Sequence, residues 1–226
     1  FNTRIENCKP HTLKALKDVG LYRMAFGIES GNEEYRSNVL DRNVKNEVYY
    51  EHFDIINDSN IPYSLNIIIG MPCETRAHVF DSIRMVKRSA GYDGLMVNYF
   101  QPYLGTGLRD MAVDRGFLDP NHINGNETES MGGYMDGWVL DQPLPYLQHD
   151  EVMRLVKTFP LYAYFSEDRW EEIFNAETDD DVLDTLLAEY RDKFLTDSQM
   201  GGADRLNQKF CAQHDPTSTY VWEMTG

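Results

Sequence analysis

The sequence predicts an α/β fold built on parallel strands, and three observations carry that prediction. Short apolar runs of strand length alternate with segments whose apolar residues recur at helical spacing, a pattern that calls for crossover connections. Gly and Pro punctuate the joins, with Gly20 before the second run, Pro62 before the third and Pro102 after the fourth. Polar residues stand where runs end: Glu29 and Ser30 after one, Gln101 after another. In a parallel α/β barrel those strand ends form the mouth that carries the chemistry.

Phe1 to Ile5 reads as a strand. Pro10 then opens a helix with Leu13, Leu16 and Val19 on one face, and Gly20 is placed to end it. Leu21 to Ile28 alternates loosely as a second strand, and a polar stretch then leads to a helix carrying Val48, Tyr49, Phe53 and Ile56. Ile61-Pro62 marks the entry to a third strand, Tyr63 to Ile69, followed by a helix whose Val79, Ile83 and Val86 are spaced for burial. A fourth strand runs from Leu95 to Phe100. Alternation in the third strand puts Ser64, Asn66 and Ile68 on one face and Leu65, Ile67 and Ile69 on the other. If the second face packs under helices, Asn66 looks into the barrel, where its amide needs partners from a ligand or from backbone and water.

Beyond Gly116 the pattern changes. Residues 117 to 147 are rich in Gly, Asn, Asp and Pro, hold no sustained periodicity and read as a long excursion. Helical spacing returns with Val152, Leu155, Val156 and Phe159, where Pro160 should break or kink the helix. A second helical stretch holds Val182, Leu183, Leu186, Leu187, Tyr190 and Phe194. Between Glu167 and Asp192 stand 11 acidic residues and two arginines, either a solvated helical surface or an acidic docking face. From Thr196 the chain is polar, a loosely packed tail with Tyr220 and Trp222 as its anchors. The expected organisation is 1–118 for the α/β part, 119–147 for the excursion and 148–226 for an acidic helical extension and tail.

A hydrophobic content of 42% supports a substantial core, so this is not a disordered chain. The formal charge of -16, from 37 acidic against 21 basic residues, argues against sequence-independent binding to a nucleic acid backbone. No apolar run is long enough to span a membrane. Cys8, Cys73 and Cys211 are odd in number and far apart, which fits a reducing cytoplasm; Cys73 itself reads as a small apolar residue. The histidines show no ligand spacing, so no metal ligand is assigned. Glu33, Glu34 and Glu74 read as residues that favour helix first turns through the macrodipole.

Three runs occur in a fixed order: GIESG at 27 to 31 followed by Arg42, NIIIGMPCET at 66 to 75, and FQPYLGTGL at 100 to 108. Together they resemble the second half of a radical S-adenosylmethionine (radical SAM) enzyme core, over residues 1 to 118. The resemblance implies the carboxyl-terminal half of a six-stranded partial TIM-like barrel, with parallel strands and a helical extension. It implies that Glu29 and Ser30 hold the ribose hydroxyls of SAM and that Arg42, thirteen residues on, pairs with the carboxylate of its methionine moiety. Asn66 matches a polar ribose contact, Ile68 an apolar border to adenine, and Gly70 a close backbone approach to the ligand. Backbone around Gln101 and Pro102 would meet the adenine edge. Relatives usually carry Gly in place of Cys73 and Pro in place of Leu104.

The family's cluster-binding C-x-x-x-C-x-x-C motif is absent from the sequence, so the chain reads as a piece of a larger enzyme and is expected to be inactive alone. For the parent, the resemblance implies a 4Fe-4S cluster, SAM cleavage for radical chemistry, and a flavodoxin- or ferredoxin-type reductant. The substrate, small molecule or peptide, stays open. The acidic, aromatic-rich extension looks like the cobalamin-binding branch, whose members can instead pass a methyl group through cobalt. Neither a nucleic acid nor a membrane is an expected partner. Two other readings stand beside this one: a phosphate- or nucleotide-using α/β barrel in which Gly105 to Gly107 cradle an anion, and a non-catalytic acidic interaction module.

Overall fold

Strand pairing follows chain order. A computed structural model describes residues 1–123 and 137–200, with side chains up to residue 194. Its sheet has four parallel strands in the order β1 (Asn2–Thr3), β2 (Met24–Glu29), β3 (Tyr63–Ile69) and β4 (Gly94–Tyr99). Sequential order means each connection winds the same way, so one face of the sheet receives the crossover helices. Those helices are α1 (Pro10–Asp18), α3 (Asn46–Ser59) and α4 (Arg76–Ser89).

Local sequence explains where they begin and end. Pro10 sits in the first turn of α1, and Thr75 caps α4 by a reciprocal pair of bonds with His78. Asn60 ends α3 in the left-handed region, which Asn tolerates better than most residues. Every second strand residue faces the helical layer: Phe26, Ile28, Leu65, Ile67 and Ile69 are fully buried against Leu13, Tyr49, Phe53, Ile56, Val79, Ile83 and Val86. The intervening residues, Ala25, Gly27, Glu29, Asn66, Ile68, Met96 and Asn98, are only half-buried. At about 1.5–3 kcal/mol per buried large apolar side chain, the helix-facing set carries the stability and leaves the other face free for polar groups.

After β4 come α5 (Gly107–Asp114) and α6 (His149–Tyr164), the latter against β4 and α4. Then α7 (Trp170–Ala176) and α8 (Asp180–Met200) pack on α6. Glu177 ties the layers together: it accepts from Arg76 of α4 at 2.6 Å and from the Tyr162 hydroxyl of α6 at 2.7 Å.

Several sequence expectations change. The first strand is shorter than Phe1 to Ile5, because residues 5–7 turn into a 3-10 helix that buries Ile5. Val19 is 82% exposed, so α1 buries a narrower face than its spacing suggests. The second strand starts at Met24, and the polar stretch after it contains α2 (Glu33–Asn38), capped by Asn32. Pro160 lies inside α6; burial of Phe159, Leu161, Tyr162 and Ala163 around it outweighs the roughly 3 kcal/mol a helix-interior proline costs. The excursion is anchored at both described ends, with Phe117, Trp138, Leu140 and Leu147 buried and the Leu147 amide donating to Glu74 O. Its middle, 124–136, and the tail anchors Tyr220 and Trp222 lie outside the described residues. The acidic run is cross-linked locally, Arg169 bridging Glu172 and Glu189. Among the described residues no helix is long and apolar enough to cross a membrane.

Candidate functional site

At the carboxyl ends of the strands lies a cleft of about 840 Å³. It is lined by Glu29 and Gly27 of β2, Ile68 of β3, Asn98 of β4, and by Arg42 and Gln101 from the loops that follow strands. A second cavity of about 610 Å³ sits at the amino ends, beside Tyr63, Tyr92 and Asp93, and contains none of the expected site residues. The larger, carboxyl-end cleft is the site candidate, since strand ends there converge on one mouth.

Glu29 reaches the cleft through an irregular strand end. The β2–β3 register shifts between Gly27 and Glu29, and Glu29 takes a positive φ of 65°. Its carboxylate folds over Gly27: a Cβ added at Gly27 would lie 2.4 Å from Glu29 Oε1. A side chain at position 27 would therefore displace the Glu29 carboxylate from this position. Arg42 converges on the same backbone, Nη1 donating to Gly27 O at 2.8 Å. Its Nη2 stands 3.6 Å from Glu6 Oε2, while Nε and Nη2 are buried without a hydrogen-bond partner. Burial raises the Glu29 carboxyl pKa, and the Arg42 charge opposes that rise.

The structure brings Glu29, Arg42, Ile68 and Gln101 together and sets the other expected site residues apart. Ser30 is fully buried away from the cleft, its carbonyl accepting from Arg36 and its hydroxyl from the Asn32 amide. Asn66 shares the open face but pairs with Gly27 and Met96, one step below Ile68 and outside the cleft lining. Gly70 does meet a close neighbour, but it is Trp138, whose Nε1 donates to Gly70 O at 2.6 Å. Pro102 offers its carbonyl to Arg109. Gln101 is 9% exposed, with Nε2 3.5 Å from Gly137 O. Cys73 is half-buried with φ of 64°, and Leu104 is 56% exposed beside the mouth.

Glu74 corrects the macrodipole reading. It precedes the cap of α4, is fully buried, and accepts the amides of Gly70 at 2.6 Å and Met71 at 3.2 Å. Burial pushes its pKa up to about 8. Glu33 and Glu34 do occupy the first turn of α2. Sequence reasoning missed Gly27, Glu6, Arg36 and Tyr49 around Arg42. Only Gly27 carried a local signal, standing two residues before Glu29 and so on the same strand face.

No protein-family model matches the chain, and no curated protein is significantly similar to it. Fold and site together define an α/β protein with a sequentially ordered parallel sheet and, at its carboxyl edge, a largely apolar cleft that holds Glu29, Arg42 and Gln101.

Proposed function

We propose that this chain supplies the SAM-binding part of a radical SAM enzyme, seated in the second half of a partial barrel. One convergence carries the reading: Glu29, Arg42, Ile68 and Gln101, which come from three separate runs, line a single cleft at the strand ends. The residues present suit SAM. Arg42 lines the cleft, and its guanidinium, whose Nη2 faces the Glu6 carboxylate at 3.6 Å, has the planar fork that suits a carboxylate. Glu29, whose carboxyl pKa burial raises against the opposing Arg42 charge, is placed to accept from ribose hydroxyls, and Ile68 with Met71 and Leu108 offers an apolar wall to adenine.

An iron–sulfur cluster does not fit: among the described residues no three His, Cys, Asp or Glu side chains lie together for a metal. The cluster, and any cobalamin, would be held by other parts of the parent. Bound SAM supplies the radical chemistry; this chain's residues bind it, orient it and exclude water.

The test is SAM titrated into the chain, read by ligand-observed NMR so that weak binding registers. Arg42→Lys and Glu29→Ala should each weaken SAM by roughly 1–3 kcal/mol, the range for charge-assisted hydrogen bonds. Exposed Glu34→Ala should not. Equal losses from all three would reduce the effect to general charge, and absence of SAM binding would sink the reading. The start of α5, Thr106 to Leu108, lines the same cleft and favours a phosphate-using barrel as the second reading. Saturation by a sugar phosphate with no response to SAM would select it.

A further inference from the structure

Between the end of β2 and the start of α3, residues 30 to 46 form a strap that carries Arg42 back to the cleft. Its composition is polar, yet one fully buried side chain closes it. Arg36 Nη1 donates to Ser30 O at 2.8 Å, where the strap leaves the sheet. Its Nη2 donates to Val44 O at 2.5 Å and to Asn46 Oδ1 at 2.8 Å, where the strap enters α3. The Arg36 carbonyl accepts the Arg42 amide at 3.0 Å. Asn46 adds a bond from Nδ2 to Gly31 O at 3.2 Å, and its amide donates to Glu33 Oε2 at 2.7 Å.

A buried guanidinium is a poor stabiliser. Desolvation disfavours the charge, and burial indeed lowers the Arg36 pKa; an apolar side chain of the same volume often serves stability as well or better. What an apolar side chain does not do is join carbonyls at the two ends of one loop. The Arg36 guanidinium carbon lies 4.5 Å from the centroid of the Tyr49 ring, and that of Arg42 lies 5.7 Å from the same centroid. The two cations share one aromatic floor, which relates Arg42 to the clamp as well as to Gly27.

We infer that Arg36 is a positioning residue: it fixes both ends of the strap so that Arg42 is presented beside Glu29. The ligand of Arg42 rests on the SAM reading; the clamp itself does not.

Two measurements on the full chain test it. In Arg36→Met, hydrogen exchange of residues 39 to 46 should accelerate on the order of ten-fold while β2, β3 and α4 keep their protection. Arg36→Lys, gentler on folding, should loosen the same peptides by less, because one ammonium cannot span Ser30 and Val44 together. Unchanged exchange, or acceleration spread evenly over the sheet, would overturn the clamp. The second measurement compares SAM with 5′-methylthioadenosine, which lacks the methionine carboxylate. Arg36→Met should weaken SAM about ten-fold and leave the thioadenosine unchanged, since only the carboxylate meets Arg42. Equal loss of both, or of neither, would overturn the positioning role. If the unmodified chain binds neither, the SAM reading fails, and hydrogen exchange alone decides the clamp.

Discussion

Glu74 is the residue whose environment departs furthest from its sequence neighbourhood. One oxygen accepts two amides; the other, Oε1, is buried with no partner. With the folded pKa raised from 4.5 to about 8, the folded chain keeps a proton that the unfolded chain releases. Its contribution to stability is therefore full below pH 4.5 and is lost as pH rises toward 8. Urea unfolding across that window should show stability falling by up to ~1.4 kcal/mol per pH unit from this group, and Glu74→Gln should flatten that fall. An unchanged pH slope in Glu74→Gln would assign the titration elsewhere. The sequence hid this because Trp138, Gln142 and Leu147 enclose the turn: Trp138 bonds Gly70 O, Gln142 bonds the Cys73 amide and the Leu147 amide reaches Glu74 O. No local pattern near Glu74 announces partners so distant in the chain.

Among the elements, β3 was the most legible: its bounds, Tyr63 and Ile69, and its alternating faces follow from uninterrupted apolar periodicity. Boundaries set by tertiary contact were not. Residues 5–7 coil to bury Ile5, and α6 continues through Pro160 because its flanks are buried on both sides. The contact between the β2–α2 turn and α4 is another such case. Gly31 donates its amide to Ser82 Oγ at 2.8 Å, and a Cβ there would come within 2.4 Å of Asp81 O and 2.5 Å of Ser82 Cα. Those are backbone atoms of a helix, so neither can swing away. Gly31→Ala should destabilise the chain by about 1–3 kcal/mol, the cost of overpacking, measured by chemical denaturation. A neutral result would mean that α4 can slide relative to the turn.

Over the whole molecule, charge and apolar exposure act in opposite directions. The formal charge is -16, while the outer edge of β1 pairs with no described strand and Phe1, Val19 and Tyr22 lie exposed at 65%, 82% and 56%. Repulsion between like-charged molecules falls as salt shortens its range, to about 3 Å at 1 M, whereas apolar attraction and edge pairing remain. Light scattering should therefore show association growing with added salt; association that weakens with salt would make it ionic. At this scale the sequence conveyed the parallel α/β class and one mouth gathering Glu29, Arg42, Ile68 and Gln101. It did not convey that Ser30 and Gly70 turn away, since strand-end position leaves open which neighbour claims a residue.

The two faces of the sheet differ among the described residues in one further respect. Along β3, Leu65, Ile67 and Ile69 answer to the helices, while Asn66 and Ile68 between them answer to whatever lies on the open face. The two constraints are interleaved residue by residue and hardly compete. The open-face positions can therefore carry ligand chemistry on a scaffold whose integrity rests on the alternate residues of the same strand.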